Sequence, residues 1–203
     1  MGEEVKKTVT AVVLAAGRSS RMGRPKQVEP VDGVPMVVQA VTVALQSDVD
    51  TVVVVTGAYA PAVGIALQEL LATYPERLSL LHNVAWATGQ ASSVRAAVEA
   101  YATTANALLF LPVDQPFLAC TLLQQLLAAW QQGARLAAPA INGQMRGAPA
   151  IFDQSLFSEL AKLEGDTGAR PLFQRHRIEL VTVPAMAEWL QDIDTPQDLE
   201  NFD

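Results

Sequence analysis

Val9–Ala16 is a compact apolar run of strand length that stops at Gly17, the pattern of a strand buried on both faces of a parallel sheet. Three runs of similar length follow it: Thr51–Thr56, ended by Gly57, then Leu78–His82, then Ala107–Leu111, ended by Pro112. Helix-length segments stand between and after them. Pro35–Leu45 follows an Asp32-Gly33 turn, and Pro61 to about Tyr74 places Leu67, Leu70 and Leu71 on one face. Ala91–Thr103 is alanine-rich, and Thr121–Gln132 closes the series. Strands and helices alternating at these lengths predict parallel βαβ units with right-handed crossovers. The expected fold is α/β, a three-layer, doubly wound, mostly parallel sheet.

The last third is less regular. Arg135–Ile141 and Ala148–Phe152 read as short strands joined through the Gly143/Gly147 region, with a short helix to Leu163 after them. A second helix is predicted from Thr167 to about His176, a final strand over Ile178–Val183, and a closing helix that Thr195 caps and Pro196 begins. A chain of 203 residues, half of them hydrophobic, suffices for one large α/β domain and falls short of two of ordinary size. Residues 1–203 are therefore read as one domain.

Charge is distributed unevenly. The net charge is −7, with only 14 Lys and Arg in all, yet Arg18, Arg21, Arg24 and Lys26 fall within nine positions directly after the first strand. Gly17 and Gly23 permit backbone geometries closed to other residues, and Ser19 and Ser20 add hydroxyls beside backbone N–H groups, so this loop has the makings of a phosphate cradle. It is neither a Walker A loop nor a dinucleotide fingerprint. Five residues separate Gly17 from Gly23, no Gly-Lys-Ser/Thr follows, and G-x-G-x-x-G is absent.

The acidic balance and the scarcity of aromatics argue against a nucleic-acid partner. No apolar run approaches the roughly 18 residues of a membrane span. Met1-Gly-Glu-Glu-Val-Lys-Lys lacks the apolar core of a secretory signal and the Ser/Thr of a myristoylation motif, so the expectation is a cytoplasmic protein away from membranes. The lone Cys120 cannot form an intrachain disulfide. It stands near a predicted helix start, where a thiol pKa can be lowered, against the plainer reading of a packed cysteine. His82 and His176 lack metal-ligand spacing and read as structural.

In open α/β sheets ligands sit beyond the carboxyl ends of the strands, where loops converge. The third-strand loop supplies Asn83-Val-Ala-Trp-Ala-Thr-Gly-Gln-Ala-Ser-Ser93 and the fourth supplies Pro112-Val-Asp-Gln-Pro116. Asp114 is the foremost metal candidate, since Mg²⁺ takes one or two carboxylates plus water and phosphate oxygens; the plainer role is a helix cap. Asp194, ahead of Asp192, is the second carboxylate, with a capping turn as its alternative.

The string L-A-A-G-R-S-S-R-M-G-R-P-K at 14–26 resembles the signature of nucleotidyltransferases that activate small phosphorylated molecules. With N-x-x-W-x-x-G-x-x-S-S at 83–93, D-Q-P at 114–116, G-D-T-G-A-R at 165–170 and D-I-D-T-P-Q-D-L at 192–199, most of the chain resembles the molybdenum cofactor cytidylyltransferases among the MobA-like NTP transferases. The resemblance implies a nucleotide-diphospho-sugar transferase-like variant of the Rossmann fold. It also implies transfer of CMP from CTP to the terminal phosphate of molybdopterin or its molybdenum form, with pyrophosphate released, Mg²⁺ as cofactor and a molybdenum hydroxylase as recipient of the product.

By the same resemblance, Lys26, Arg21 and Asp114 are catalytic, and Asp114 and Asp194 hold the metal. Leu14, Ala15, Ala16, Gly17, Arg18, Arg21, Lys26, Asn83, Gly89, Ser92 and Ser93 bind the nucleotide, while Trp86, Gln115, Asp166 and Arg170 face the acceptor. Read from the residues alone, Asp166 is equally a helix cap, Arg170 an exposed helix charge and Trp86 a packing residue. The chain departs from the family where Ala148 replaces a histidine and Val113 a glycine, which leaves other acceptors open. Guanylyl relatives carry Gly where this chain has Ala16. The alternatives are a related transferase acting on another small phosphate, of guanylyl, sugar or alditol type, and a non-catalytic chaperone that holds the cofactor.

Overall fold

The structure is a computed structural model that describes residues 7–200; the amino-terminal residues read for a targeting signal lie almost wholly outside that range. Strand β1 (Val9–Ala15) leads into the cationic loop, which ends in a single 3-10 turn over Lys26–Val28. Strands β2 (Pro30–Val31) and β3 (Val34–Pro35) form a small hairpin closed by Asp32 and Gly33. Then come α1 (Met36–Gln46), β4 (Thr51–Thr56), α2 (Ala60–Ala66), α3 (Gln68–Thr73), β5 (Leu78–His82), α4 (Gln90–Tyr101) and β6 (Ala107–Pro112). The chain continues through α5 (Cys120–Gln131), β7 (Leu136–Ile141), β8 (Gln144–Met145), β9 (Ala150–Asp153), α6 (Phe157–Leu160), α7 (Arg170–Arg175), β10 (Val181–Pro184) and α8 (Pro196–Glu200).

The main sheet runs β10-β7-β9-β6-β1-β4-β5, with β8 attached to β7. Strands β6, β1, β4 and β5 are mutually parallel, β10 is parallel to β7, and β9 is antiparallel to both of its neighbours. This is the expected mostly parallel α/β architecture. Its central strands are buried on both sides, which is why they read as unbroken apolar runs. Val13 of β1, Val54 of β4 and Leu109 of β6 pack into one core with α1 and α5; Val12, Val53 and Phe110 pack into another with α4, α6 and α7. Each such fully buried aliphatic side chain contributes about 1.5–3 kcal/mol relative to exposure.

One predicted helix is two. The segment expected over 61–74 breaks at Leu67, whose φ of −97° and ψ of 2° end α2 and start α3. Leu67 is fully buried there, with Leu70 and Leu71 partly buried against the same core. Burying the three leucines therefore takes precedence over helix continuity. Among the described residues, no helix is long and apolar enough to cross a membrane.

Candidate active site

The carboxyl ends of β1, β5 and β6 bring three loops together, and the segment before α8 closes over them. That segment is anchored by its backbone: Ile193 is fully buried and its N–H donates to the Asp114 carbonyl at 2.9 Å. Its turn is a reciprocal cap. Asp198 Oδ2 accepts from the Asp194 and Thr195 N–H groups and the Thr195 hydroxyl, while the Asp198 N–H donates to Thr195 Oγ1. Those donors hold the Asp198 carboxyl below its ordinary pKa. With the backbone of Asp194 committed to the turn, its side chain is free to point into the site.

Lys26, Asp114 and Asp194 meet there. Lys26 Nζ lies 2.5 Å from Asp114 Oδ2 and 2.8 Å from Asp194 Oδ1, and Arg21 reaches Asp194 Oδ2 at 2.8 Å. The side chains of Lys26, Asp114 and Asp194 are 14%, 21% and 24% exposed, whereas Arg21 is 71% exposed. Burial alone would lower the Lys26 pKa, but the two carboxylates outweigh it and hold the ammonium above its ordinary value. Asp192, whose Oδ1 accepts from Gln115 Nε2 at 3.0 Å, also has a raised pKa: burial lifts it and Asp114 and Asp194 add to the rise, against the Gln115 hydrogen bond.

Two cavities join at this cluster. The smaller, about 460 Å³, is lined by the first loop at Ala16, Gly17 and Arg18 and by Trp86, Gly89 and Ser93. The larger, about 700 Å³, has an apolar side formed by Phe110, Phe152 and Phe173 and a cationic side formed by Arg146 and Arg170. Leu14, Lys26, Gln90, Pro112 and Asp114 belong to both. A molecule in one cavity and a molecule in the other would thus face each other across Lys26 and Asp114.

Most of the residues expected at the nucleotide site line the smaller cavity, and Gln115 and Arg170, expected at the acceptor, line the larger. Trp86 and Asp166, also expected at the acceptor, line the smaller one instead. Asp166 is a helix cap as well, because its Oδ1 accepts from the Gln90 N–H at 2.9 Å and so binds the 165–170 loop to the start of α4. Arg21, expected at the nucleotide, lines the larger cavity alone, and Ala15, Asn83 and Ser92 line neither. Asn83 is buried and donates to Ser92 Oγ and Ser93 Oγ, so it shapes the loop from behind.

Gly17 also differs from expectation. Its backbone is not left-handed and an added Cβ would meet nothing within 4 Å, so its missing side chain keeps the cavity open; Ser19 (φ 54°) and Gly23 (φ 73°) make the sharp bends. Cys120 has a raised thiol pKa, first from burial and then from Asp48, which removes the activated-thiol reading.

The MobA-like NTP transferase domain family matches residues 11–180. This chain belongs to that family. Two curated relatives align along nearly its whole length. It is 34% identical over 209 residues to nicotine blue oxidoreductase of Paenarthrobacter nicotinovorans, covering 98% of both chains. It is 33% identical over 195 residues to molybdenum cofactor guanylyltransferase of Xanthomonas euvesicatoria pv. vesicatoria, covering 93% of this chain and 90% of that one. Among solved structures, Rv0371c of Mycobacterium tuberculosis superposes with a TM-score of 0.81 at 26% identity, over 96% of this chain and 97% of that one. A second structure of Rv0371c is a complex with manganese, with a TM-score of 0.76 at 25% identity, over 97% and 98%.

In this MobA-like chain the sequence reading missed Gln27 and Gly57. Gln27 is buried to 1% exposure beside the first loop. Gly57 is required by close packing, since a Cβ there would lie 2.6 Å from both the Ala16 carbonyl oxygen and Trp86 Cβ. A polar residue directly after the loop lysine and a glycine ending the second strand were the available signals.

Proposed function

We propose that this member of the MobA-like family is a cytidylyltransferase that moves CMP from CTP to the terminal phosphate of molybdopterin or its molybdenum form. The observation that carries the reading is the pair of cavities meeting at Lys26 and Asp114. In the proposed step an acceptor phosphate oxygen bonds to the α-phosphorus, the bond between that phosphorus and the bridging oxygen to the β-phosphate breaks, and pyrophosphate leaves with the electron pair. An acceptor phosphate is already an anion at neutral pH, so no protein base is needed. Lys26, Arg21 and the loop N–H groups neutralise charge on the departing pyrophosphate, and the cavities align the two phosphates.

The donor set suits a hard divalent cation. Asp114 and Asp194 already share one ammonium, and among the described residues no group of three or more His, Cys, Asp and Glu could hold a metal unaided. Two carboxylates completed by phosphate oxygens and water is the arrangement that Mg²⁺ takes. When bound, it would supply charge neutralisation at the triphosphate. The large cavity suits the acceptor, with aromatic side chains for a flat ring and Arg146 and Arg170 for its phosphate.

A guanylyl reading is favoured by the relative named molybdenum cofactor guanylyltransferase. Against it stands the Ala16 methyl in the smaller cavity, which is worth about 1–3 kcal/mol of discrimination at most. Another curated relative carries an oxidoreductase name. Hydride transfer needs a nicotinamide or flavin site, and the first loop lacks the dinucleotide spacing. Pyrophosphate release from CTP and GTP in competition, with Mg²⁺ and molybdopterin, is the test. Release from CTP supports the proposal, preference for GTP replaces it with the guanylyl reading, and cofactor binding without release from either supports a chaperone.

A further inference from the structure

Gln27 lies inside the curve of the first loop. Its Nε2 donates to the Gly17 carbonyl at 2.7 Å and to the Ala15 carbonyl at 3.2 Å, and its Oε1 accepts from Ser19 Oγ at 3.2 Å. The intervening Ala16 carbonyl accepts from the Ala58 N–H at 3.1 Å. Three successive carbonyls are thereby taken up by protein donors. In a trans peptide unit the C=O and the following N–H point in opposite directions. The 15–16 peptide is already oriented by the β1–β4 ladder, in which Ala15 pairs with Thr56, and Gln27 adds to that constraint; drawing the Gly17 carbonyl toward Gln27 turns the Arg18 N–H away from it, and Arg18 lines the smaller cavity.

We infer that Gln27 is a positioning residue for the nucleotide: its carboxamide fixes the direction of the 17–18 peptide group and ties it to the end of β1, so that the Arg18 N–H serves the nucleoside and α-phosphate end of the ligand. The inference rests on the nucleotidyltransferase reading above. Only a carboxamide suits the place. One end must donate two hydrogens to carbonyl oxygens while the other accepts from a hydroxyl; neither an ionised Glu nor a Met can donate, and the Met sulfur is only a weak acceptor. The Lys26 ammonium, at the pyrophosphate end, is fixed by Asp114 and Asp194; Gln27 is linked to Lys26 only through the Lys26 backbone, whose N–H donates to Ser19 Oγ at 3.2 Å.

That separation gives the test. The full chain and its Gln27→Glu and Gln27→Met variants are titrated calorimetrically with CTP, with GTP and with pyrophosphate, each in Mg²⁺, and thermal unfolding is recorded alongside. The expected result is a loss of about tenfold or more in affinity for the preferred nucleotide, the equivalent of one charge-free buried contact pair or more, with pyrophosphate affinity within about threefold of wild type. Wild-type binding of neither nucleotide would overturn the transferase reading and this inference with it. Wild-type binding matched by both variants would overturn the role of Gln27 alone, as would equal losses for nucleotide and pyrophosphate. If neither variant unfolds cooperatively, Ser19→Ala takes their place. Removing that hydroxyl, which also accepts from the Lys26 N–H at 3.2 Å, should weaken nucleotide binding about threefold and pyrophosphate binding by less, and unaltered nucleotide affinity or equal losses for the two ligands would overturn the inference.

Discussion

Replacing Lys26 with Met keeps the length of the side chain and removes its charge from between two carboxylates. Asp194 keeps the guanidinium of Arg21, but Asp114 has no other ion-pair partner among the described residues. At an effective dielectric of about 20, a charge pair in contact is worth several kcal/mol before desolvation is counted. Desolvation returns much of that, and these side chains retain some solvent, so the net loss of stability should be about 2 kcal/mol at neutral pH. The loss in turnover should be larger. Removing one preorganised stabiliser of developing charge costs on the order of 3 kcal/mol, roughly a hundredfold in rate. The two effects should separate in Mg²⁺, because freeing the carboxylates from the ammonium should strengthen cation binding and recover part of the lost stability while turnover stays low. Chemical denaturation with and without Mg²⁺, together with a pyrophosphate-release assay, measures both. Turnover within a few fold of wild type would refute the role given to Lys26, and destabilisation that Mg²⁺ does not relieve would refute the claim that the same carboxylates take the metal.

Asp114→Asn should likewise lower pyrophosphate release by about a hundredfold or more, with an unchanged circular dichroism spectrum. Gly57→Ala forces a methyl against the Ala16 backbone oxygen, which cannot swing aside, so it should cost about 1–3 kcal/mol in thermal unfolding and weaken nucleotide binding. Asp153, remote from the site, tests the fold alone. Burial would raise its pKa, but the Ser155 N–H and the Trp130 indole N–H, each at 2.9 Å, hold it below its ordinary value. A carboxyl depressed on folding stabilises above the unfolded pKa and loses that contribution as pH falls through the folded one. Asp153→Ala should therefore cost about 1 kcal/mol at pH 7, and its gap from wild type should close in acid below the ordinary Asp pKa of 3.8, as read by urea denaturation across pH.

How far the sequence reveals this molecule depends on the range of the forces involved. The central strands are legible because burial on both faces writes itself as an apolar run, with no partner needed to interpret it. The break at Leu67 is not, since neither Gly nor Pro marks it and only the three-dimensional core decides which leucines turn inward. The antiparallel insertion of β9 between β6 and β7 is equally silent, because a four-residue run such as Ala150–Asp153 carries no record of strand direction.

The site divides in the same way. Lys26, Asp114 and Asp194 are separated by up to 168 positions along the chain, yet each announces itself by charge type next to a strand end or a cap. Asp166 announces itself too, but its main partner is the amide of Gln90, 76 positions away, and nothing local tells a helix cap from a ligand contact. Gln27 shows the limit most clearly. Its bonds to Ala15 and Gly17 span only 12 and 10 positions, but they require the loop to curl back on itself, a shape set by Ser19 in a left-handed conformation that sequence statistics would assign to glycine. Residues that meet a ligand directly must keep a chemically distinctive side chain; residues that shape the backbone for it need only a suitable hydrogen-bonding pattern. The second kind is therefore found by tracing where each carbonyl of a binding loop finds its donor.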